Sequence, residues 1–262
     1  TVKEINVPPT IGNVGGPLVY VENDPPQAVF PSATVADPNS ADFDGGTLVA
    51  TILSGGTPSD GLLIREGNGI TLAGDTVIYE SGGPRLIGSY TVDGWVLTVR
   101  LTSAEATLAA VQALVRSVAY ENVSENPTSS DRRILLSLTD GDGGNDTGSA
   151  TQTVTIQSVN DPPLAQSDEY VMFTGDLLAV SRANGVLAND SDPEGFSLTA
   201  VLVDTPLDGD LTLNSDGSFT YQPRALFYGR DAFTYKASDG QAFSPDIRVA
   251  IEVRLRPTNP AD

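Results

Sequence analysis

Ala150-Thr151-Gln152-Thr153-Val154-Thr155-Ile156-Gln157, followed after two residues by Asn160-Asp161-Pro162-Pro163, is the stretch on which the reading of this chain turns. The first part alternates small or polar residues with apolar ones and reads as the last strand of a unit. The second part is acidic and stiff, and a new series of alternating runs begins beyond it. A degraded copy, Asn6-Val7-Pro8-Pro9, lies near the start, and Asn259-Pro260-Ala261-Asp262 echoes it at the end. A junction that recurs between units implies a tandem array. From Asn6 to Asn160 the spacing suits a large unit, and from Asn160 to Asn259 an ordinary sandwich domain.

Working outward, period-two alternation dominates. Ile247, Val249, Ile251 and Val253 lie on one strand face, opposite Arg248, Ala250, Glu252 and Arg254. Trp95, Leu97, Val99 and Leu101 form a second series, Ile134, Leu136 and Leu138 a third, and Phe233, Tyr235 and Ala237 a fourth. Such runs, separated by Gly, Asp, Asn and Pro, predict antiparallel β-sandwiches with one face of each strand buried. Asp216-Gly217 supplies a positive-φ turn between Asp210–Leu213 and Ser218–Tyr221, with Phe219 and Tyr221 inward. The expected class is all-β: two tandem antiparallel Greek-key sandwiches, residues 1–159 and 160–262. One segment departs from it. Thr102-Ser103-Ala104-Glu105 has capping-box spacing, and Ala104, Leu108, Val111 and Val115 follow a helical period, so one helix is expected near 103–116, packed on its own domain.

Composition narrows the chemistry. The 262 residues include no cysteine and no histidine, which removes disulfides, thiolate metal sites and imidazole or thiol catalysis. The formal charge is −20, and Asp outnumbers Glu by 24 to 10. A chain this acidic repels nucleic acid and anionic membranes. No apolar stretch approaches the length of a membrane span, and the sequence reads as part of a longer secreted or surface-anchored protein. Asp and Asn favour turns, and they are also short hard-oxygen ligands. They cluster where alternation stops: Asp37–Asp44 and Asp140–Asp146 in the first unit, Asn189–Glu194 and Ser238-Asp239-Gly240 in the second. None of these runs has full EF-hand spacing, so several loops would have to share one ion. Solvated turns and a proline-stiffened linker are the plain alternative.

These motifs resemble cadherin repeats. Glu22, then Asp37-Pro38-Asn39, then Tyr120-Glu121-Asn122, then Asp140-Gly141-Asp142, then Asn160-Asp161 stand in the order of an early Glu, an Asp-x-Asp, an Asp-Arg-Glu triplet and the acidic linker of that family. Asn39 replaces the second Asp, and Tyr120-Glu121-Asn122 replaces the triplet. The first unit resembles the long cadherin-like repeats of bacterial surface proteins, some near the chondroitin-sulfate-proteoglycan type. Gly185–Gly195, Asp216–Pro223 and Asp231–Gly240 resemble the Ig-like and cadherin-like repeats of large RTX-type surface adhesins. The resemblance implies Ca²⁺ at the central junction, with Glu22, Glu121, Asn160, Asp161, Asp190, Asp192 and Asp239 as ligands. Asp37, Asn39 and Asp140 would serve the preceding junction, a weaker site because Val7 replaces the acid. It further implies rigid extender modules on a secreted or bacterial cell-surface protein, with calcium and neighbouring repeats as partners.

The alternative is a module that binds a host or biofilm glycan or protein through Gly-rich loops such as Ser54–Thr57 and Ser81–Pro84. An enzyme is not expected. A glycosidase needs one carboxylate pair across a cleft, and nothing marks a pair among so many. Lys236 reads as a surface lysine rather than an isopeptide staple, and Trp95 as a core residue rather than a sugar platform.

Overall fold

The computed structural model describes residues 6–143 and 146–257. The terminal echo Asn259–Asp262, Lys3, and Gly144-Asn145 of the acidic run lie outside the described residues. Compact packing divides the chain between Val159 and Asn160.

The second unit is the simpler. Its strands are β14 (Asp168–Phe173), β15 (Leu178–Val180), β16 (Thr199–Asp204), β17 (Gly209–Leu213), β18 (Phe219–Pro223), β19 (Gly229–Ser238) and β20 (Ile247–Arg254). They form two sheets, β14-β20-β19-β16 and β15-β18-β17. Phe219 and Tyr221 from the small sheet meet Phe233, Tyr235, Val249 and Ile251 from the large one in a single core. The alternation in β18, β19 and β20 is therefore the inward face of a sandwich, each such side chain contributing about 1.5–3 kcal/mol when fully buried. The expected hairpin joins β17 to β18, with Gly217 at φ 83°.

The first unit repeats this plan and enlarges it. It contains β1 (Thr10–Gly12), β2 (Leu18–Val21), β3 (Gln27–Ala28), β4 (Thr34–Ala36), β5 (Thr47–Ser54), β6 (Asp60–Ile64), β7 (Ile70–Ala73), β8 (Thr76–Glu80), β9 (Pro84–Asp93), β10 (Val96–Leu101), α1 (Leu108–Ser117), β11 (Val118–Asn122), β12 (Arg132–Thr139) and β13 (Thr147–Gln157). Its sheets run β2-β13-β12-β5-β10-β9-β8-β7 and β3-β11-β6, beside the short pair β1-β4. The β2-β13-β12-β5 and β3-β11-β6 parts have the order of the two sheets of the second unit. The insertion β7–α1 therefore lies between the sixth and eleventh strands, and β10 pairs along the edge of β5, extending the sheet.

Three features differ from the sequence-based expectation. Each sandwich has one parallel pairing, β2 with β13 and β14 with β20, in which the first strand of the larger sheet runs beside the last strand of the unit. The helix begins five residues later than expected. Ser103 Oγ instead accepts the Glu105 N–H at 3.1 Å in a local turn, and Thr107 caps α1 by accepting the Ala110 N–H at 3.4 Å. Ala110, Val111, Leu114 and Val115 are buried, whereas Leu108 is exposed. Finally, Trp95 precedes β10 and is 39% exposed. Its ring covers Gly56, and its Nε1–H donates to the Thr57 carbonyl at 3.0 Å. A Cβ at Gly56 would lie 3.0 Å from the indole, so glycine there admits the ring over the loop.

Candidate metal centre

Each unit carries an acidic network where its N-terminal segment meets the loops of one end, and the two networks share one wiring. In the first unit, Asn6 Nδ2 donates to both Asp140 oxygens, at 3.2 and 3.0 Å. The Val7 N–H donates to Asn39 Oδ1 at 3.1 Å, and the Asn39 N–H to Asp37 Oδ1 at 3.1 Å. In the second unit, Asn160 Nδ2 donates to Asp239 Oδ2 at 2.8 Å. The Asp161 N–H donates to Glu194 Oε2 at 3.1 Å, and the Glu194 N–H to Asp192 Oδ1 at 3.0 Å. Asn6, Val7, Asp37, Asn39 and Asp140 thus correspond to Asn160, Asp161, Asp192, Glu194 and Asp239.

Two positions change charge in this correspondence. Val7 becomes Asp161, and Asn39 becomes Glu194. The Asn39 amide donates its Nδ2–H to Asn6 Oδ1 at 2.9 Å. In the second unit the corresponding Asn160 oxygen is served by Gln241 Nε2 at 2.9 Å, which leaves the Glu194 carboxylate as an acceptor alone.

The residues present fit a hard cation. Asp37 Oδ2, Asp161 Oδ2, Asp192 Oδ2 and Glu194 Oε1 are buried oxygens that accept no hydrogen bond. A carboxylate oxygen removed from water without a donor is costly, and a cation removes that cost. The donors available are all oxygens, the type that Ca²⁺ takes. Asp239 is the well-satisfied member. The N–H groups of Ala242 and Gln241, both at 2.6 Å to Oδ1, and the Asn160 amide hold its carboxyl below the usual range.

At the other end of the first unit, Glu22 is 4% exposed and accepts the Val159 N–H through Oε2 at 2.7 Å. A carboxylate oxygen of Glu22 lies within 4.8 Å of one of Glu125. Glu121 takes a different position. It pairs across the sheet with Gly61, and a Cβ at Gly61 would lie 3.2 Å from its Oε1.

Asp190 also stands apart from Asp192 and Asp239. Its Oδ1 accepts the Gln166 N–H at 2.9 Å, and its Oδ2 accepts the Tyr235 hydroxyl at 2.8 Å. Burial raises its pKa. Neighbouring Asp168 is raised to about 6, first by burial and then by the charge of Asp190. A carboxylate with a folded pKa above its unfolded value favours the fold while protonated. That contribution is full below about pH 4 and is lost as the pH rises through about 6. Asp168→Asn is therefore expected to raise the second unit's stability at pH 7.5 by about 1 kcal/mol, after allowance for solvent screening, and to change little at pH 4. Calorimetric melting at both pH values measures this.

Glu194 and Glu125 are absent from the ligand set expected from sequence. Both have a sequence signal. Asp192-Pro193-Glu194 repeats Asp37-Pro38-Asn39, and Glu125-Asn126 repeats Glu121-Asn122 four residues on. Lys236, read as a surface residue, pairs with Asp246 at 3.2 Å, with both side chains substantially exposed.

Residues 160–254 match the family model described as the bacterial cadherin-like domain. A search of the curated proteins finds no match. Among solved structures, the chain is similar to protocadherin gamma B2 extracellular cadherin domains 1-5, at 13% identity and a TM-score of 0.40, covering 95% of this chain and 40% of that one. A human CDH23 EC21-23 structure matches at 15% identity and a TM-score of 0.37, covering 95% and 70%. An endo-fucoidan hydrolase from glycoside hydrolase family 107 matches at 18% identity and a TM-score of 0.30, covering 85% and 29%. The chain thus spans less than half of the protocadherin and hydrolase chains.

Proposed function

We propose that this chain is a pair of extracellular cadherin-like modules of a bacterial secreted or surface adhesin, acting as rigid extenders whose junctions are stiffened by Ca²⁺. The observation that carries the reading is the repeated end network, in which the central copy gains two carboxylates, Asp161 and Glu194, and holds three buried oxygens that lack a donor where the first copy holds one, Asp37 Oδ2. The similarity of residues 160–254 to a bacterial cadherin-like domain supports an extracellular adhesive or ligand-binding module. Among the described residues no helix is long and apolar enough to cross a membrane. The proposed role is mechanical rather than enzymatic.

The mechanism is electrostatic. Asp161, Asp192 and Glu194 repel one another when no cation is bound, and the formal charge of −20 adds to that repulsion. Ca²⁺ supplies the positive charge that these oxygens need, and the chain's own residues supply ligand number and orientation. Asn160 holds Asp239, and the Asp161 N–H holds Glu194, so the second unit orients its carboxylates before the ion arrives. A cation held by Asp161, Asp192 and Glu194 would tie the first residues after Val159 to the loops of the second unit, and that part of the linker would lose bending freedom. At the Asn6-Val7 end, Val7 and the Asn39 amide leave fewer charges, and a weaker site is the consequence.

Addition of Ca²⁺ is expected to raise the melting temperature, by linkage equivalent to about 2.7 kcal/mol at 100 times the dissociation constant. It is also expected to narrow the distribution of interdomain angles in small-angle scattering. Asp161→Ala removes most of both responses. Identical melting and scattering in Ca²⁺ and in chelator would overturn the reading.

A further inference from the structure

We propose that the second unit carries a saccharide-binding cleft, in which a neutral sugar ring stacks on Phe196 and shares its hydroxyls between Arg182 and Asp216. The cleft encloses about 700 Å³, and every residue that lines it belongs to that unit. Pre-formed small-molecule sites span roughly 300–1,000 Å³. The inference goes beyond the calcium reading and does not rest on it, although Asp192 lines the cleft as well as the end network.

Backbone bonds fasten the segments that build the cleft. One segment is the short 3₁₀ turn Arg182–Asn184 with the loop that follows it to Asp192. A second runs from Phe196 into the start of β16, and a third is the Ser215-Asp216 tip of the β17–β18 hairpin. The Val186 N–H donates to the Gly217 carbonyl at 3.0 Å, and the Ala200 N–H to the Ser215 carbonyl at 2.9 Å. The hairpin tip is thus tied to both other segments. A Cβ at Gly185 would lie 2.3 Å from the Gly217 carbonyl oxygen, so glycine there permits the close approach. A frame fixed in this way loses little freedom when a ligand enters.

The lining mixes apolar surface with a donor and an acceptor. Leu187 and Leu198 pack against the core of the unit and supply aliphatic surface. Phe196 stands outside that core and is 48% exposed, while its N–H donates to Asp192 Oδ1 at 3.0 Å. An aromatic ring left in water on a held backbone is a flat apolar platform, suited to the C–H face of a pyranose. Asp216 is held as well. Its Oδ1 accepts the Ser218 hydroxyl at 2.6 Å and the Ser218 N–H at 3.0 Å. Those bonds, and more weakly the charge of nearby Arg182, keep its carboxyl below the usual range. The carboxylate accepts and the guanidinium donates. Adjacent sugar hydroxyls answer both, donating to Asp216 while accepting from Arg182.

Charge selects the class of ligand. Asp190 has each carboxylate oxygen engaged, by Gln166 and by Tyr235, which leaves Arg182 and Asp216 as a balanced pair. A polyanion meets a chain of formal charge −20, and a cationic group placed between the pair meets Arg182. A neutral polyol meets neither penalty.

The test is affinity electrophoresis of the full chain in native gels cast with dextran, galactomannan or arabinoxylan, and with polygalacturonate as an anionic control. Each gel is run in Ca²⁺ and in chelator. Phe196→Ala removes the ring but keeps the N–H that Asp192 accepts, Arg182→Ala removes the donor, and Phe196→Tyr keeps a ring. All three changes fall on exposed side chains, so the melting temperature is expected to stay near that of the parent. The expected result is retardation of the parent by at least one neutral polysaccharide in either medium. Both alanine variants are expected to bind it about tenfold more weakly, and Phe196→Tyr to bind it as the parent does. No retardation by any neutral polysaccharide overturns the inference. So does retardation that either alanine variant keeps in full, or retardation by polygalacturonate alone. A parent that is retarded by a neutral polysaccharide yet melts identically in Ca²⁺ and chelator supports the cleft while removing the calcium reading.

Discussion

Replacing Arg132 by alanine is expected to destabilise the first unit by about 3–5 kcal/mol, the cost of leaving a buried charge without its partner. Arg132 and Asp60 are both fully buried as side chains, with Nε 3.1 Å from Oδ1. Burial pushes the Asp60 carboxyl up, but hydrogen bonds from Tyr120, Asn122, Thr57 and Arg132 outweigh it and hold the carboxyl below the usual range. Arg132 Nη1 also donates to the carbonyls of Thr128 and Ser130, so the guanidinium closes the loop that follows β11. Its loss opens that loop and leaves Asp60 charged in a site with little water. Thermal unfolding followed by Trp95 fluorescence reads this directly, because the indole donates to the Thr57 carbonyl and the Thr57 N–H donates to Asp60 at 2.5 Å. The melting temperature is expected to fall by roughly 10 °C, at about 2–4 °C per kcal/mol for a domain of this size. The neighbouring Arg133 is exposed, and Arg133→Ala is expected to stay within about 0.5 kcal/mol of the parent. An Arg132→Ala chain that melts like the Arg133→Ala chain contradicts the assignment.

The second large effect belongs to the other unit. Phe219→Ala is expected to cost about 3–5 kcal/mol through lost transfer free energy and the cavity it leaves. Phe219 is 1% exposed and lies between two rings, 4.9 Å from Tyr170 and 5.4 Å from Phe233, both edge-on. The core of this unit is small, so few neighbours can move in to fill the space. Its residues belong to a cluster distinct from that of the first unit. Scanning calorimetry should therefore show one transition lowered by roughly 15–25 °C, while the transition reported by Trp95 stays in place. A joint shift of both transitions would mean that the two units unfold as one.

Much of the architecture was legible because strand alternation is a local record of which face is buried. The β19 and β20 series and the Asp216-Gly217 hairpin appear where alternation and turn chemistry put them. The start of α1 was less legible. Thr102 and Thr107 are both able to cap, and capping-box spacing does not record which of them does; the structure uses Thr107. Trp95 extends an alternating series on paper, yet it folds over Gly56 because a glycine there leaves room for a ring. The expected ligands separate in the same way. Asp192 and Asp239 lie within the second unit's end network, whereas the Asp190 carboxylate is occupied by Tyr235 and Gln166. Glu121 lies over Gly61, and Glu125 takes the place beside Glu22.

By itself the sequence determined the class of fold, the absence of thiol and imidazole chemistry, and the oxygen-only character of any metal site. These follow from composition and from short-range periodicity, which act between residues close in the chain. The tertiary structure alone decided that the first unit is the plan of the second with β7–α1 inserted. It also decided that Val7 and Asn39 stand where Asp161 and Glu194 stand, and which acids keep an oxygen free of donors. Those properties depend on groups far apart in the chain, 134 positions for Asn6 and Asp140. Whether a carboxylate finds a donor or remains available to a cation is set by the neighbours that folding brings to it.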